Sequence, residues 1–507
     1  MEVLPALVAW AASSACRLSV VAESALGHRL CSSRAAIIEV QDLARRLSPA
    51  AQVLVPGSKG FDDASRRWSV FDEPRPGVVV IPGAPSDVAE TVKYANEHDR
   101  PFLAVGGHHG AASTLAGLQG GIEIVMSSLS SVELSEDGKT ARVGGGASSK
   151  TVIDALWEAG KQTVTGTCEC TSLLGPGLGG GHGWLQGRHG LIADQFVSMD
   201  VVLADGDART VDARSDPDLW WALRGAGHNF AIVTSVTVQV HDIAHRDWAR
   251  ETMVFTGDKV ERVFETLRDT VFRDGRQDVD VVVWSYMLRI PAVDPENPVL
   301  VVYLLQEGVR TVAAAHSAAL KALGPASVEN APGTYRDLAA WTMISAADGP
   351  CRKLGASNLR FPLYLDAYDV GAVRRAYDLF AATLRGNPEF ADSIFLFENY
   401  PTQGLRAPPA ADSAFAFRGD SILVAPLISF PSADRHLGGK AVVAGEALRR
   451  TLHEASGRET MHTYVNYAFR DNKLEMYGAE AWRQEKLARL KAKYDPHGRF
   501  NFYNPVV

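Results

Sequence analysis

Positive charge is scarce in this chain: 51 Lys and Arg stand against 59 Asp and Glu, for a formal net charge of −8. That balance carries no basic footprint for nucleic acid or an anionic membrane surface, so neither is expected as a partner. Long apolar runs are also missing. No interior stretch approaches the ~18 apolar residues of a spanning helix, and no membrane span is expected. Five cysteines (Cys16, Cys31, Cys168, Cys170, Cys351) in 507 residues are too few for a disulfide scaffold. No N-x-S/T sequon occurs, which weighs against a secreted glycoprotein. No repeat with a period of ~20–50 residues is visible.

The N-terminus reads two ways. Leu4–Ala15 is apolar and rich in small residues, and Ala15, Val21 and Ala22 would suit a cleavage site. Glu2 stands where a signal peptide has positive charge. A secretory signal and an ordinary N-terminal helix both stay open.

What the chain has in quantity is glycine, 45 in all. It is densest in Val164–Gly190, VTGTCECTSLLGPGLGGGHGWLQGRHG, which also holds two cysteines. Glycine at such density means sharp turns or close approach to something bulky. A cysteine within a ligand-facing glycine loop is a candidate for covalent chemistry. Gly175–Gly180 matches G-x-G-x-x-G, with Asp200 downstream where a ribose-binding acid would stand. The match is rejected: a Cys/Thr/Ser run precedes it instead of a strand, and Gly179–Gly183 is a poor helix start. Metal binding by Cys168, Cys170, His182 and His189 is a rival reading, although C-x-C with two distant histidines lacks the usual zinc spacing.

The apolar pattern predicts strands at Gly77–Ile81, Phe102–Val105, Ile122–Met126 and Thr140–Val143. A helix capped by Ser86 should run to about His98, and another should span Ser149–Glu158. Beyond the glycine stretch, strands are expected at Phe196–Leu203 and Phe230–Val240, with an Asp205-Gly206 turn and a helix at Pro217–Leu223. The texture changes near His241–Arg250. Strands are then expected at Val279–Ile290, Val299–Leu305, Ser393–Glu398 and Ile422–Phe430, and helices at Thr311–Leu323 and Val370–Leu384. A last helix should end at Tyr494.

Four motifs in order carry a resemblance. They are Pro101–Val105 running into Gly106-Gly107-His108-His109-Gly110; Gly166-Thr167-Cys168 followed by Gly179-Gly180-Gly181-His182-Gly183; Arg224–Gly227 with Phe230–Thr234; and Tyr464–Tyr467 with Lys493–Pro496. Together they resemble the berberine-bridge-enzyme-like FAD oxidoreductases of the vanillyl-alcohol-oxidase superfamily. The resemblance implies an α+β fold. Its parts would be an N-terminal segment 1–30, a two-lobed PCMH-type FAD-binding domain at 31–244, and a substrate domain at 245–460 whose antiparallel sheet is covered by helices. Residues 461–507 would return to the FAD domain.

The same resemblance implies a flavin tied at C8α to a histidine and at C6 to a cysteine. Counting from Pro101-Phe102 selects His109, whereas the commoner G-G-H triplet would select His108, so both stay open with His109 favoured; Gly106, Gly107 and Gly110 are further expected cofactor contacts. Cys168 is the expected candidate for a second tether, a buried free thiol being the alternative, and Cys170 is left free; Glu169 replaces the usual proline. Gly179–Gly183, Ile232, Val233 and Asn466 complete the expected cofactor contacts. Thr171 stands where oxygen access is controlled in some relatives, so molecular oxygen and another electron acceptor both stay open. Tyr467 is the expected proton acceptor. Asp412, with Arg418 beside it, is its expected second acid, and Glu398 is the competitor.

The implied activity is oxidation of a small organic substrate by hydride transfer to flavin N5. An alcohol, phenolic or polyketide-like secondary metabolite is expected. A carbohydrate oxidase of the same fold and a non-catalytic flavin- or metabolite-binding protein are the alternatives.

Overall fold

A computed structural model describes residues 40–272 and 277–507. The signal-like segment, with Cys16 and Cys31, lies outside the described residues. Among those described, no helix is long and apolar enough to cross a membrane.

The first half contains two sheets. In the smaller one, Phe102–Val105 and Val78–Ile81 run parallel to Ile122–Val125 on either side, and Gln52–Leu54 adds an antiparallel edge. The helix Pro85–Glu97 joins two of these strands and buries Val88, Val92 and Ala95 against them. Its N-cap is Ala84, not Ser86. Pro85 presets the first helical φ, and the Asp87 carboxylate accepts from the Gly83 and Ala84 N–H groups at 2.8 and 2.9 Å. The second sheet is antiparallel, in the order Val132–Leu134, Thr140–Gly144, Ile232–Gln239, Phe196–Val202, Ala208–Val211. The Asp205-Gly206 turn joins the last two strands, and Gly206 takes the positive φ of 87° that glycine tolerates.

The second half is an eight-stranded antiparallel sheet. Trp248–Phe255 and Ser327–Gly333, absent from the sequence expectation, belong to it. So does Ala356–Arg360, which pairs with Ile422–Pro431. The helices Val260–Thr270, Val370–Gly386 and Arg435–Ser456 cover one face. Side chains alternate across a strand. On Val281–Leu288, Val281, Val283 and Met287 meet the helices, while Val282, Trp284 and Tyr286 face the first half. On Ile394–Asn399, Phe395 and Phe397 face the helices and Leu396 faces the other way. This alternation delivers Glu398 and Arg360 to the same inward face.

The C-terminal segment packs back on the first half. Phe500 joins the core of the smaller sheet. Lys491 Nζ donates to the Asn229 carbonyl at 2.9 Å, and Asn229 Nδ2 donates to the Asn504 carbonyl at 3.2 Å.

Candidate active site

Between the halves lies a cavity with about 1760 Å³ of atom-free space, its mouth included. One end is walled by Phe102–Val105, Ile232, Val233 and Phe500. The other is walled by Trp284, Tyr286, Leu396 and Tyr400. The loop Gly106–Gly110 and the stretch Gly166–Cys168 lie along it.

Both histidines of the first loop line the cavity, but their surroundings differ. His108 takes a left-handed φ of 58° and turns toward a buried ion pair, its Nε2 3.7 Å from Glu123 Oε1. Arg67 holds that carboxylate at 3.0 Å. His109 stacks on Trp68, ring centroids 5.4 Å apart, with Nε2 3.1 Å from Cys170 Sγ. Burial, with Arg360 nearby, pushes His109 down to about 3, so the ring is neutral and keeps a nucleophilic nitrogen.

Cys168 is a free thiol, raised to about 11 by burial. Cys170, expected to be free, is instead disulfide-bonded to Cys351, with Cα atoms 5.7 Å apart. The bridge ties the glycine-rich stretch to the short helix Gly349–Arg352 of the second half. Glu169 strengthens the same junction, its carboxylate accepting from the Ala346 N–H at 2.8 Å.

The metal rival fails on geometry. His182 lies between Gln186 and Tyr364, and His189 stacks on His241. The sulfurs instead cluster with His109, all ligating atoms within 4.8 Å, and two of the three are consumed by the disulfide.

His182, Ile232, Val233 and Asn466 line the cavity as expected. Gly179, Gly180, Gly181 and Gly183 do not; they are packing positions behind the wall. A Cβ on Gly180 would strike the Phe415 ring at 2.5 Å, and one on Gly181 would strike Ile192 at 2.6 Å. A Cβ on Gly179 would collide with Asn466, and one on Gly183 with the Thr165 carbonyl. Thr171 lines the cavity and donates to the Cys168 carbonyl at 2.8 Å.

The acid expected from the substrate half is misassigned. Asp412 is exposed outside the cavity, and its carbonyl accepts from Arg224. Arg418 is taken by Asp194, in a buried pair at 2.6 Å. Glu398 is the acid in the cavity, 1% exposed. Tyr467 donates to its Oε1 at 2.9 Å and Tyr400 to its Oε2 at 2.7 Å. Burial raises Glu398, opposed by the Tyr400 hydrogen bond and the charge of Arg360. Burial also holds Tyr467 well above the ordinary phenol range, and the Glu398 charge pushes the same way. Arg360 sits over the Tyr467 ring, 4.0 Å from its centroid. The sequence signal for Glu398 was an acid inside an apolar strand, Ile394–Asn399, where every second residue is core.

A family profile described as "FAD binding domain" matches residues 76–212, and one described as "Berberine and berberine like" matches residues 463–506. The chain is 47% identical over 508 residues to the FAD-linked oxidoreductase chyH of Penicillium rubens, covering 100% of both chains. Among solved structures, BBE-like 1 from Physcomitrella patens aligns with a TM-score of 0.77 at 20% identity, covering 92% of this chain and 99% of that one. Glucooligosaccharide oxidase from Acremonium strictum aligns with a TM-score of 0.74 at 18% identity, covering 92% and 99%. Its structure is described with a 6-S-cysteinyl, 8α-N1-histidyl FAD. Fold and cavity define a flavin-dependent oxidoreductase. The chain belongs to the berberine-bridge-enzyme-like FAD-linked oxidoreductases.

The residues present fit FAD. The cavity takes its lining from both halves of the fold, and bare glycine backbone lets its loops meet. A Cβ on Gly107 would stand 2.6 Å from the Cys170 carbonyl. Two buried polar atoms on the lining, His108 Nε2 and Asn466 Oδ1, have no hydrogen-bond partner.

Proposed function

We propose that this oxidoreductase carries its FAD covalently, through His109 and Cys168, and removes a hydride and a proton from a small planar organic substrate. The observation that carries this reading is one cavity in which His109 and Cys168 lie side by side while Tyr467 and Glu398 form a hydrogen-bonded pair. When bound, the flavin supplies the hydride acceptor, at N5. His109 and Cys168 would hold its benzenoid edge, and Asn466 offers an unpaired carbonyl acceptor.

The chain's own work is proton removal. Low-polarity surroundings and the Glu398 charge keep the proton on Tyr467 at rest, so it does not act as a standing phenolate. Instead, Tyr467 Oη accepts the substrate proton as it passes its own to Glu398 Oε1. Charge then never rests on the phenol. Tyr400 holds the other carboxylate oxygen and fixes the acceptor's orientation. Arg360 over the Tyr467 ring favours an ionised Glu398 before the transfer. The substrate chamber is walled by Trp284, Tyr286, Leu396 and Ile344, which suits a planar body better than a hydroxyl-rich sugar.

The purified protein should be yellow, and the colour should stay with the acid-precipitated pellet. A colourless protein that takes up no added FAD would overturn this reading. Flavin released into the supernatant would overturn the covalent part alone.

A further inference from the structure

We propose that the substrate chamber takes a small planar molecule bearing a carboxylate, and that Arg360 is the residue that holds this group. The inference rests on the oxidoreductase reading above and narrows its substrate.

Arg360 ends the strand Ala356–Arg360 and lines the cavity. Its guanidinium lies between two rings, 4.8 Å from the centroid of Trp68 and 4.0 Å from that of Tyr467. It forms no hydrogen bond or ion pair with any described residue, and its buried Nε is unpaired. Neighbouring arginines are spent differently: Arg67 pairs with Glu123 at 3.0 Å and Arg418 with Asp194 at 2.6 Å. Ring faces attract a cation but do not satisfy its donors. A guanidinium partly withdrawn from water is complete only with an anion, and its planar fork matches a carboxylate with two parallel bonds.

Glu398 feels the charge of Arg360, but no hydrogen bond joins the two. Both Glu398 oxygens already accept, one from Tyr467 and one from Tyr400. A second unused donor faces the same chamber. Trp284 is 2% exposed, lines the cavity, and its Nε1 has no partner. Trp284 lies directly opposite Glu398 in the strand pairing, so its ring stands beside the acid. The chamber therefore offers spare donors and no spare carboxylate. A neutral sugar would leave the guanidinium fork without a hydrogen-bonding anion, whereas a carboxylate would fill it. Because Arg360 stacks on Tyr467, a carboxylate held there sets the rest of the molecule beside the Tyr467–Glu398 pair.

The test is calorimetric titration of the purified holoenzyme with benzoate and with benzamide, its neutral isostere. Benzoate should bind about tenfold tighter or better, as expected of hydrogen bonds to a charged group. In Arg360→Gln this preference should vanish while benzamide affinity holds within about twofold, and Arg360→Lys should keep part of it as a point charge without the fork. Trp284→Phe should weaken both probes alike. Equal wild-type affinities, no benzoate binding, or a preference that survives Arg360→Gln would each overturn the proposal. Should Arg360→Gln fail to fold, the wild-type comparison and Arg360→Lys decide. Calorimetry does not depend on flavin chemistry. Benzoate binding that depends on Arg360 in a protein found without flavin would keep this inference and sink the oxidoreductase reading. A flavin-replete enzyme without the preference would do the reverse.

Discussion

Tyr467 donates a 2.9 Å hydrogen bond to Glu398 across 69 residues of sequence, joining the C-terminal segment to an interior strand of the substrate half. One is a partly buried phenol that holds its proton, and the other is a buried carboxylate whose basicity burial raises. In the proposed mechanism the two act together as the proton relay. Loss of a general base typically costs ~10²–10⁴ in rate. Tyr467→Phe and Glu398→Gln should each slow flavin reduction by about that factor, with flavin content unchanged. Asp412→Asn should behave as wild type. Stopped-flow flavin reduction decides; a near-normal rate in Glu398→Gln would remove it from the mechanism.

The same burial sets a pH dependence. The folded pKa of Glu398 lies above its ordinary 4.5, chiefly because burial disfavours the charge. The folded state then holds a proton that the unfolded state has lost. The resulting stability is fully present below the unfolded pKa and disappears as pH rises through the folded value. At pH 8 an ionised Glu398 costs stability, so Glu398→Gln should melt higher than wild type there, and the gap should shrink toward pH 5. Flavin reduction in wild type should fall as pH drops through the same folded pKa, and this limb should be absent in Glu398→Gln. Equal melting temperatures at pH 8 would mean that Glu398 is not strained by burial.

Much of this site was legible from residue order. Phe102–Val105, Ser149–Glu158 and Pro217–Leu223 form as their apolar spacing requires, with the same limits. Local patterns see one element at a time, and most of the misses concern partners distant in sequence. Cys170 reads as a spare thiol until the chain brings Cys351 across 181 residues to meet it. Asp412 resembled a site acid because Phe415 and Arg418 follow it, yet Arg418 is spent on Asp194, 224 residues away. Gly179–Gly183 announced a cradle, but most of that run serves packing against Asn466, Phe415 and Ile192. The edge strand Ser327–Gly333 is largely exposed and has little apolar alternation to betray it.

The proposed choice of tether rests on the contrast between the two loop histidines. His109 is neutral and lies with Cys168, whereas His108 is turned toward Glu123 and Arg67. His109→Ala and Cys168→Ala should each retain flavin on the denatured chain through the remaining bond, and the double variant should release it. His108→Ala should keep both bonds and lose thermal stability, since it loosens the surroundings of a buried ion pair. Peptide mass mapping of the flavinylated chain tests this, and flavin on a His108 peptide would reverse the assignment.

The Cys170–Cys351 bridge gives the last prediction. It closes a loop of 181 residues and ties the stretch carrying Cys168 to the substrate half. By chain entropy alone, a loop of this length is worth up to about 5 kcal/mol, with measured bridges more often giving 2–4. Cys170→Ser and Cys351→Ser should therefore lower the melting temperature by the same amount, because each removes the same link. The double variant should be no worse than either single one, as expected when two residues act as one unit. Dithiothreitol should destabilise wild type and leave all three variants unaffected. With the loop released, Cys168 is held less firmly beside His109, so the fraction of chains carrying flavin on a Cys168 peptide should fall while His109 attachment persists. A wild-type melting temperature indifferent to dithiothreitol, with full thiol titration in the native protein, would mean that the bridge does not form.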